Sequence, residues 1–264
     1  MSERIGQPLL AQPDPSPVQV HNPGGASPFL LLGDHAGNAI PAALGALGLG
    51  PADLGRHIAW DLGIAALGPM LADRLDAPFI SQAYSRLVID CNRDPDGPEA
   101  IVEVSDGTPV PGNRGLSEAL RRQRIAAIHR PYHDAVAQAL RERHAAGVQI
   151  HLVSLHSFTP TMDGFDRPWE IGVLHGDGHT RLAHALLQVL RARRVPAVGD
   201  NEPYAFDGTD YTIPHHAYPA GHLCVELEIR QDLLTTTRGC EQWAANLCDW
   251  LNASAALAPR PVPG

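Results

Sequence analysis

Lysine is absent from this chain, and all 20 basic residues are arginines. That excludes a Schiff-base lysine and the lysine of a phosphate-binding loop as sources of chemistry. Arginine still grips carboxylates through a planar fork, so acidic small molecules stay open as ligands. Cysteine is scarce: Cys91, Cys224, Cys240 and Cys248 contain no C-x-x-C pair. A disulfide framework is not expected, which favours a reducing cytoplasm. No apolar run reaches the ~18 residues needed to span a bilayer. Residues 1–27 lack the charged and apolar regions of a signal peptide, so the chain reads as soluble. An excess of positive charge is missing too. The net charge is −9 and the pI near 5.8, which argues against nucleic acid or an anionic membrane as the main partner. No G-x-G-x-x-G or P-loop pattern follows a strand, which disfavours nucleotide binding.

What is present is enough to build a core. Of 264 residues, 44% are hydrophobic and 19% charged, which fits one large α/β domain or two small ones. Residues 1–27, rich in Pro, Gln, Ser and Gly, read as a mobile or draped arm. Residues 28–255 read as a single domain and 256–264 as a Pro-rich tail. Pro28–His35 is an apolar strand ending in a histidine. A tight loop follows, in which Gly37 and Asn38 tolerate unusual backbone angles. Residues 51–75 read as mostly helical, with Gly68-Pro69 a kink or division and with His57 and Asp61 four apart on one face. Strands are expected at Phe79-Ile80 and Leu87–Asp90, and a loop over 91–114. Ser117 is a plausible N-cap for a helix to about 145 that Pro131 kinks or divides. Gln149–Phe158 is a buried strand, followed by a loop over 159–169 and a short strand at Ile171–Leu174. A helix from Thr180 to Arg194, a polar aromatic loop over 201–220, a strand ending at Arg230 and a helix over about 238–257 complete the pattern. Strands alternating with helices predict a three-layer α/β/α domain with a mostly parallel or mixed sheet.

Open α/β sheets carry their active sites at the C-terminal tips of strands. His35 and His156 both end apolar runs and are followed by small or polar residues. Two such imidazoles, with carboxylates on other elements, point to one divalent metal. Catalytic zinc takes three protein ligands and keeps one position for water. Asp61 and Asn38 are both candidates for the third. Asn38 lies three residues after His35, whereas Asp61 is the harder anion in an otherwise apolar helix. Glu226 and Glu228 share one face of a strand, and either serves as a general base. Arg86 and Arg93 bracket an apolar run, and Asn92-Arg93 joins an amide donor to a guanidinium, a pair that fits a carboxylate.

Six stretches occur in order: Asp34-His-Ala-Gly-Asn38, Ile89-Asp-Cys-Asn-Arg93, His156-Ser-Phe158, Asn201-Glu-Pro-Tyr204, Tyr211-Thr-Ile-Pro-His-His216 and Glu226-Leu-Glu-Ile-Arg-Gln-Asp-Leu233. Together, over about residues 28–252, they resemble the N-formylglutamate amidohydrolase family and, more broadly, the zinc carboxypeptidase and aspartoacylase superfamily. The resemblance implies a phosphorylase/hydrolase-like fold and one zinc (Zn2+) per chain, with His35 and His156 as ligands. It implies Glu228 as the base, Arg86 as the group that polarises the scissile carbonyl, and Asn92-Arg93 as the grip on a substrate carboxylate. Where the superfamily has a Glu ligand three residues after the first histidine, this chain has Asn38, which shifts the third ligand toward Asp61. The implied activity is hydrolysis of the amide of an N-formyl or N-acyl amino acid, an acidic small molecule. Arg230 is then a further carboxylate contact, and Tyr211, His215 and His216 close over the substrate. Competing readings are a zinc peptidase or amidase on peptide or cell-wall termini, and a metal-free binder of acidic metabolites.

Overall fold

The computed structural model describes residues 8–176 and 180–258. Seven strands form one mixed sheet: β1 Val18–His21, β2 Phe29–Gly33, β3 Phe79–Gln82, β4 His151–Phe158, β5 Ile171–Leu174, β6 Val198–Asp200 and β7 Leu223–Arg230. Their order across the sheet is β1-β3-β2-β4-β7-β5-β6. The inner pairs are parallel, while β1 runs antiparallel to β3 and β5 antiparallel to β7.

Helices cover both faces, as the alternating pattern predicts. Val153, Leu155, Val225, Leu227 and Ile229 join the apolar layer of α1 Ile64–Leu75, α3 Arg181–Ala192 and α4 Thr237–Leu257. Leu152 and Cys224 join the opposite layer, with Tyr132, Val136 and Leu140 of α2 Arg130–Ala145. On that second face the two central strands change character along their length. Leu152 gives way to Ser154 and His156, and Cys224 to Glu226 and Glu228. The register sets Glu226 beside Ser154 and Glu228 beside His156. Polar side chains thus fill the C-terminal halves of strands whose N-terminal halves are apolar.

Several expectations are corrected. The expected arm contains β1, whose pairing with β3 covers what would otherwise be an open sheet edge; residues 1–7 of the arm and 259–264 of the tail lie outside the described residues. The helix expected over 51–75 is broken. Pro51–Leu54 makes one turn, and α1 starts only after Gly63, which has φ of 90° and packs against Leu234 so closely that a Cβ would lie 2.3 Å from the Leu234 Cβ. Pro69 lies inside α1 without dividing it. His57 and Asp61 therefore share no helix face.

Leu87–Asp90 is not a strand, although Leu87, Val88 and Ile89 are buried. Side chains replace the ladder there: Asn113 Nδ2 donates to the Leu87 carbonyl and Arg124 Nη1 to the Val88 carbonyl. Ser117 does cap a helix, Glu118–Arg124, which continues through a π-helical turn at Ile125–His129 into α2. That turn absorbs Pro131 near the start of α2. Gly37 is needed for space rather than for an unusual φ, since a Cβ would lie 2.1 Å from the Ala83 carbonyl oxygen. The loop expected over 201–220 contains a short helix, Thr212–His216.

Candidate metal centre

His35 lies in the turn after β2, His156 within β4, and Asp61 in the turn before α1. The Asp61 N–H donates to the His35 carbonyl at 2.9 Å, and the Ser157 N–H donates to Asp61 Oδ2 at 3.2 Å. These bonds fix three distant segments around one point. His35 Nδ1 and His156 Nδ1 are 3.2 Å apart. Asp61 Oδ2 is 2.9 Å from His156 Nδ1 and 3.5 Å from His35 Nδ1. Ligand bonds of ~2.0–2.2 Å in a tetrahedral zinc site give edges of about 3.3 Å. The triangle therefore matches one face of such a site, and these are the only three side chains grouped this way among the described residues.

The far nitrogens show which way the lone pairs point. His35 Nε2 meets Asp90 Oδ1 at 2.6 Å. Ser154 donates its hydroxyl to Asp34 Oδ2 at 3.1 Å, so its oxygen accepts from His156 Nε2 at 2.9 Å. Asp90 accepts from His35 Nε2 and Ser154 from His156 Nε2, so each ring carries a hydrogen on its far nitrogen and turns Nδ1 inward toward Asp61 Oδ2. The inward nitrogens and the carboxylate can share one positive charge, a proton or a metal ion. The surrounding field favours one. Burial and Arg86 oppose a proton on His35, yet Asp90 and Asp61 outweigh them and raise its pKa. Burial also opposes a proton on His156, but Glu226, Asp34 and Asp61 carry its pKa well above the usual value. Burial raises the Asp34 and Asp61 carboxyls, but the two histidines more than reverse it, and both stay ionised.

A cavity of about 520 Å³ opens onto this triangle, lined also by Arg86, Arg93, Glu226 and Glu228, a size typical of small-ligand sites. Both glutamates are buried, and each has an Oε2 without a hydrogen-bond partner. Burial pushes each carboxyl up to about 8. They differ in what they face. Glu226 Oε2 lies 3.9 Å from His156 Nε2, on the rear of the ring. Glu228 stands beside His156 in the strand register and feels the charges of His156, Asp61 and Arg86. Arg86 donates Nε and Nη2 to Asp90 Oδ2 at 3.0 and 2.7 Å, with Nη1 3.6 Å from Asp61 Oδ1. Asp90 thus holds the histidine and the arginine together.

The remaining expected residues divide. Asn38 points away, its Nδ2 donating to the Leu54 carbonyl at 2.6 Å. Arg93 lines the cavity, paired with Asp210 at 3.2 Å and Glu99 at 3.7 Å. Asn92 does not face the cavity. Its Oδ1 accepts from the N–H groups of Tyr211 and Thr212 at the start of the short helix, and its Nδ2 donates to Asp210. Arg230 pairs with Asp232 outside the cavity. Tyr211 and His215 stack on each other, and His216 bonds His133, so none of the three lines the cavity. Sequence reasoning missed Asp34, Asp90 and Tyr204 as parts of the site. The signal for Asp90 was a lone carboxylate in an apolar run, which needs a partner wherever it is buried.

Comparison with known proteins bears on the same architecture. A family model for N-formylglutamate amidohydrolases matches residues 27–235. The crystal structure of a gene product from Agrobacterium tumefaciens is 37% identical, with TM-score 0.91 over 94% of this chain and 98% of that one. An N-formylglutamate amidohydrolase from Ralstonia eutropha JMP134 is 22% identical, with TM-score 0.72 over 92% of this chain and 98% of that one, which shows the shared fold. No curated protein matches the chain. With the sheet, the buried His-Asp-His cluster and the adjoining acids in view, the match over most of its length settles the family: this chain is a member of the N-formylglutamate amidohydrolases, hydrolases that act on amides.

Proposed function

We propose that the chain is a zinc-dependent amidohydrolase that removes the formyl, or another acyl, group from an acidic N-acyl amino acid such as N-formylglutamate. The observation that carries this reading is the inward triangle of His35 Nδ1, His156 Nδ1 and Asp61 Oδ2, with Glu228 in the wall of the cavity that opens onto it. Two imidazoles and one carboxylate are a donor set that suits zinc. When bound there, zinc supplies Lewis acidity, which makes water a nucleophile near neutral pH and polarises a carbonyl.

The chain's own groups do the rest. Glu228 takes a proton from the attacking water and delivers it to the departing nitrogen, the two halves of one acid–base role. Arg86, anchored by Asp90 through two nitrogens, faces the carbonyl oxygen as it gains negative charge. Arg93 holds a substrate carboxylate at another part of the wall. Asn92 acts one step back, holding Asp210 and the short helix in place.

The test is a substrate series: N-formyl and N-acetyl derivatives of glutamate, aspartate and neutral amino acids, beside short peptides, with the released amine as readout. Fastest turnover of N-formylglutamate supports the reading. Turnover confined to peptides would replace it with a peptidase.

A further inference from the structure

Arg167 follows the hairpin formed by Thr161–Met162 and Phe165–Asp166. Asp163 and Gly164 at its turn have φ of 51° and 75°, the two positive angles of a type I′ turn. The Arg167 N–H donates to the Pro160 carbonyl at 2.8 Å. The guanidinium carbon sits 4.9 Å from the centre of the Tyr204 ring and 5.8 Å from that of Phe158. The residue is 9% exposed.

Its hydrogen-bond partners are all neutral. Nη1 donates to the Tyr204 hydroxyl at 3.0 Å, to Thr159 Oγ1 at 3.3 Å and to the Thr159 carbonyl at 3.4 Å. Nη2 reaches the Met162 sulfur at 3.1 Å, a weak acceptor. Among the described residues no carboxylate lies within ion-pair distance of it. Three arginines assigned to the site contrast with it: Arg86 has Asp90, Arg93 has Asp210 and Glu99, and Arg230 has Asp232. A cation this buried without an anion is costly, and two aromatic faces offset only part of that cost.

Two of its partners, Tyr204 and Met162, are cavity wall. The Tyr204 hydroxyl also lies within the field of Glu228 and Asp61. The bare guanidinium is therefore one hydrogen bond behind the surface that a substrate touches. At Arg93 an incoming carboxylate competes with two acids already in place, whereas at Arg167 it competes with none.

We propose that Arg167, with Tyr204, forms a second carboxylate-binding subsite of the cavity, so that the site selects acyl amino acids carrying two carboxylates. This rests on the reading of the cavity as one for acidic N-acyl amino acids. It adds the group that makes the second acid necessary.

The experiment compares glutarate with butyrate by calorimetry on the protein as purified, wild type and Arg167→Met, together with KM and kcat for N-formylglutamate. Methionine keeps the apolar stem and removes the buried charge, a change that buried ionic sites often tolerate. Wild type should bind glutarate about 10-fold or more tighter than butyrate, as expected for hydrogen bonds to a charged group. Arg167→Met should erase that preference, and its loss toward N-formylglutamate should fall mainly on KM. An Arg167→Met protein that still prefers glutarate overturns the subsite and makes Arg167 a structural clamp. Wild type that holds the two acids equally overturns it without any variant. Glutarate preference in a protein that hydrolyses no acyl amino acid sinks the reaction assignment but leaves the subsite standing.

Discussion

His35 Nδ1 and His156 Nδ1 face each other at 3.2 Å, each ring turned by a hydrogen bond from its far nitrogen, to Asp90 and to Ser154. The orientation is imposed from behind, so both Nδ1 atoms point at one position beside Asp61 Oδ2. Elemental analysis of the purified protein should find about one zinc per chain, and His156→Ala should lose it. Zinc added to stripped wild type should raise its melting temperature; a hundredfold excess over Kd contributes about 2.7 kcal/mol. A His156→Ala protein with full zinc content would show that the ion sits elsewhere.

Asp90 holds two functional groups with one carboxylate. Oδ1 accepts from His35 and from the Asn92 N–H, and Oδ2 accepts from Arg86. Asp90→Asn keeps the volume but offers an amide where His35 needs an acceptor. Loss of such a supporting contact typically costs about 10- to 100-fold in metal affinity or activity. Zinc affinity and kcat should both fall in Asp90→Asn. Normal values for both would remove Asp90 from the machinery.

The two strand glutamates differ in register: Glu228 stands beside His156 and Glu226 beside Ser154. Glu228→Gln should lower kcat by about 10²- to 10⁴-fold, the usual worth of a positioned acid–base group. Glu226→Gln should cost much less, since its carboxylate lies behind the ring at 3.9 Å from Nε2. The opposite ranking, read from kcat at saturating substrate, would move the base to Glu226.

Much of this arrangement was legible in the residues themselves. His35 and His156 announce themselves as polar ends of apolar strands, and strand parity places Glu226 and Glu228 on one face. Asp61 stands out in the sequence as a carboxylate in an otherwise apolar helix, and the structure groups it with the two histidines although a turn replaces that helix. What was not legible depends on distant side chains. Leu87–Ile89 reads as a strand by composition, yet Asn113 and Arg124, 26 and 36 positions away, satisfy its carbonyls instead of a neighbouring strand. Tyr211, His215 and His216 look like a substrate lid until Asn92 is seen capping their helix and turning it away. Arg167 reads as one more loop arginine, because nothing local reports that its charge is buried without an acid.

The histidines turned away from the cavity set a limit at low pH. His133 Nε2 meets the Cys91 carbonyl at 2.9 Å, which can only accept, so that nitrogen carries the hydrogen. His133 Nδ1 then accepts from His216 Nε2 at 2.9 Å, so a second proton on His133 would break that bond. Burial, then repulsion from His129 and His216, lowers His133 to about 3, and burial lowers His216 to about 4. In the unfolded chain both titrate near ~6.5. Between that value and the folded ones the unfolded state binds protons that the native state refuses. Stability from this pair is therefore complete above about pH 6.5 and drains away as pH falls, by up to about 1.4 kcal/mol per pH unit for each histidine. Urea unfolding of wild type and His133→Gln from pH 7.5 to 4.5 measures it, and the variant should show the shallower decline. The Cys91 carbonyl held by His133, and the Arg93 carbonyl 3.2 Å from His129 Nε2, belong to the segment that carries Asp90 and Arg93. Parallel stability curves for the two proteins would show that the pair is not the group that titrates.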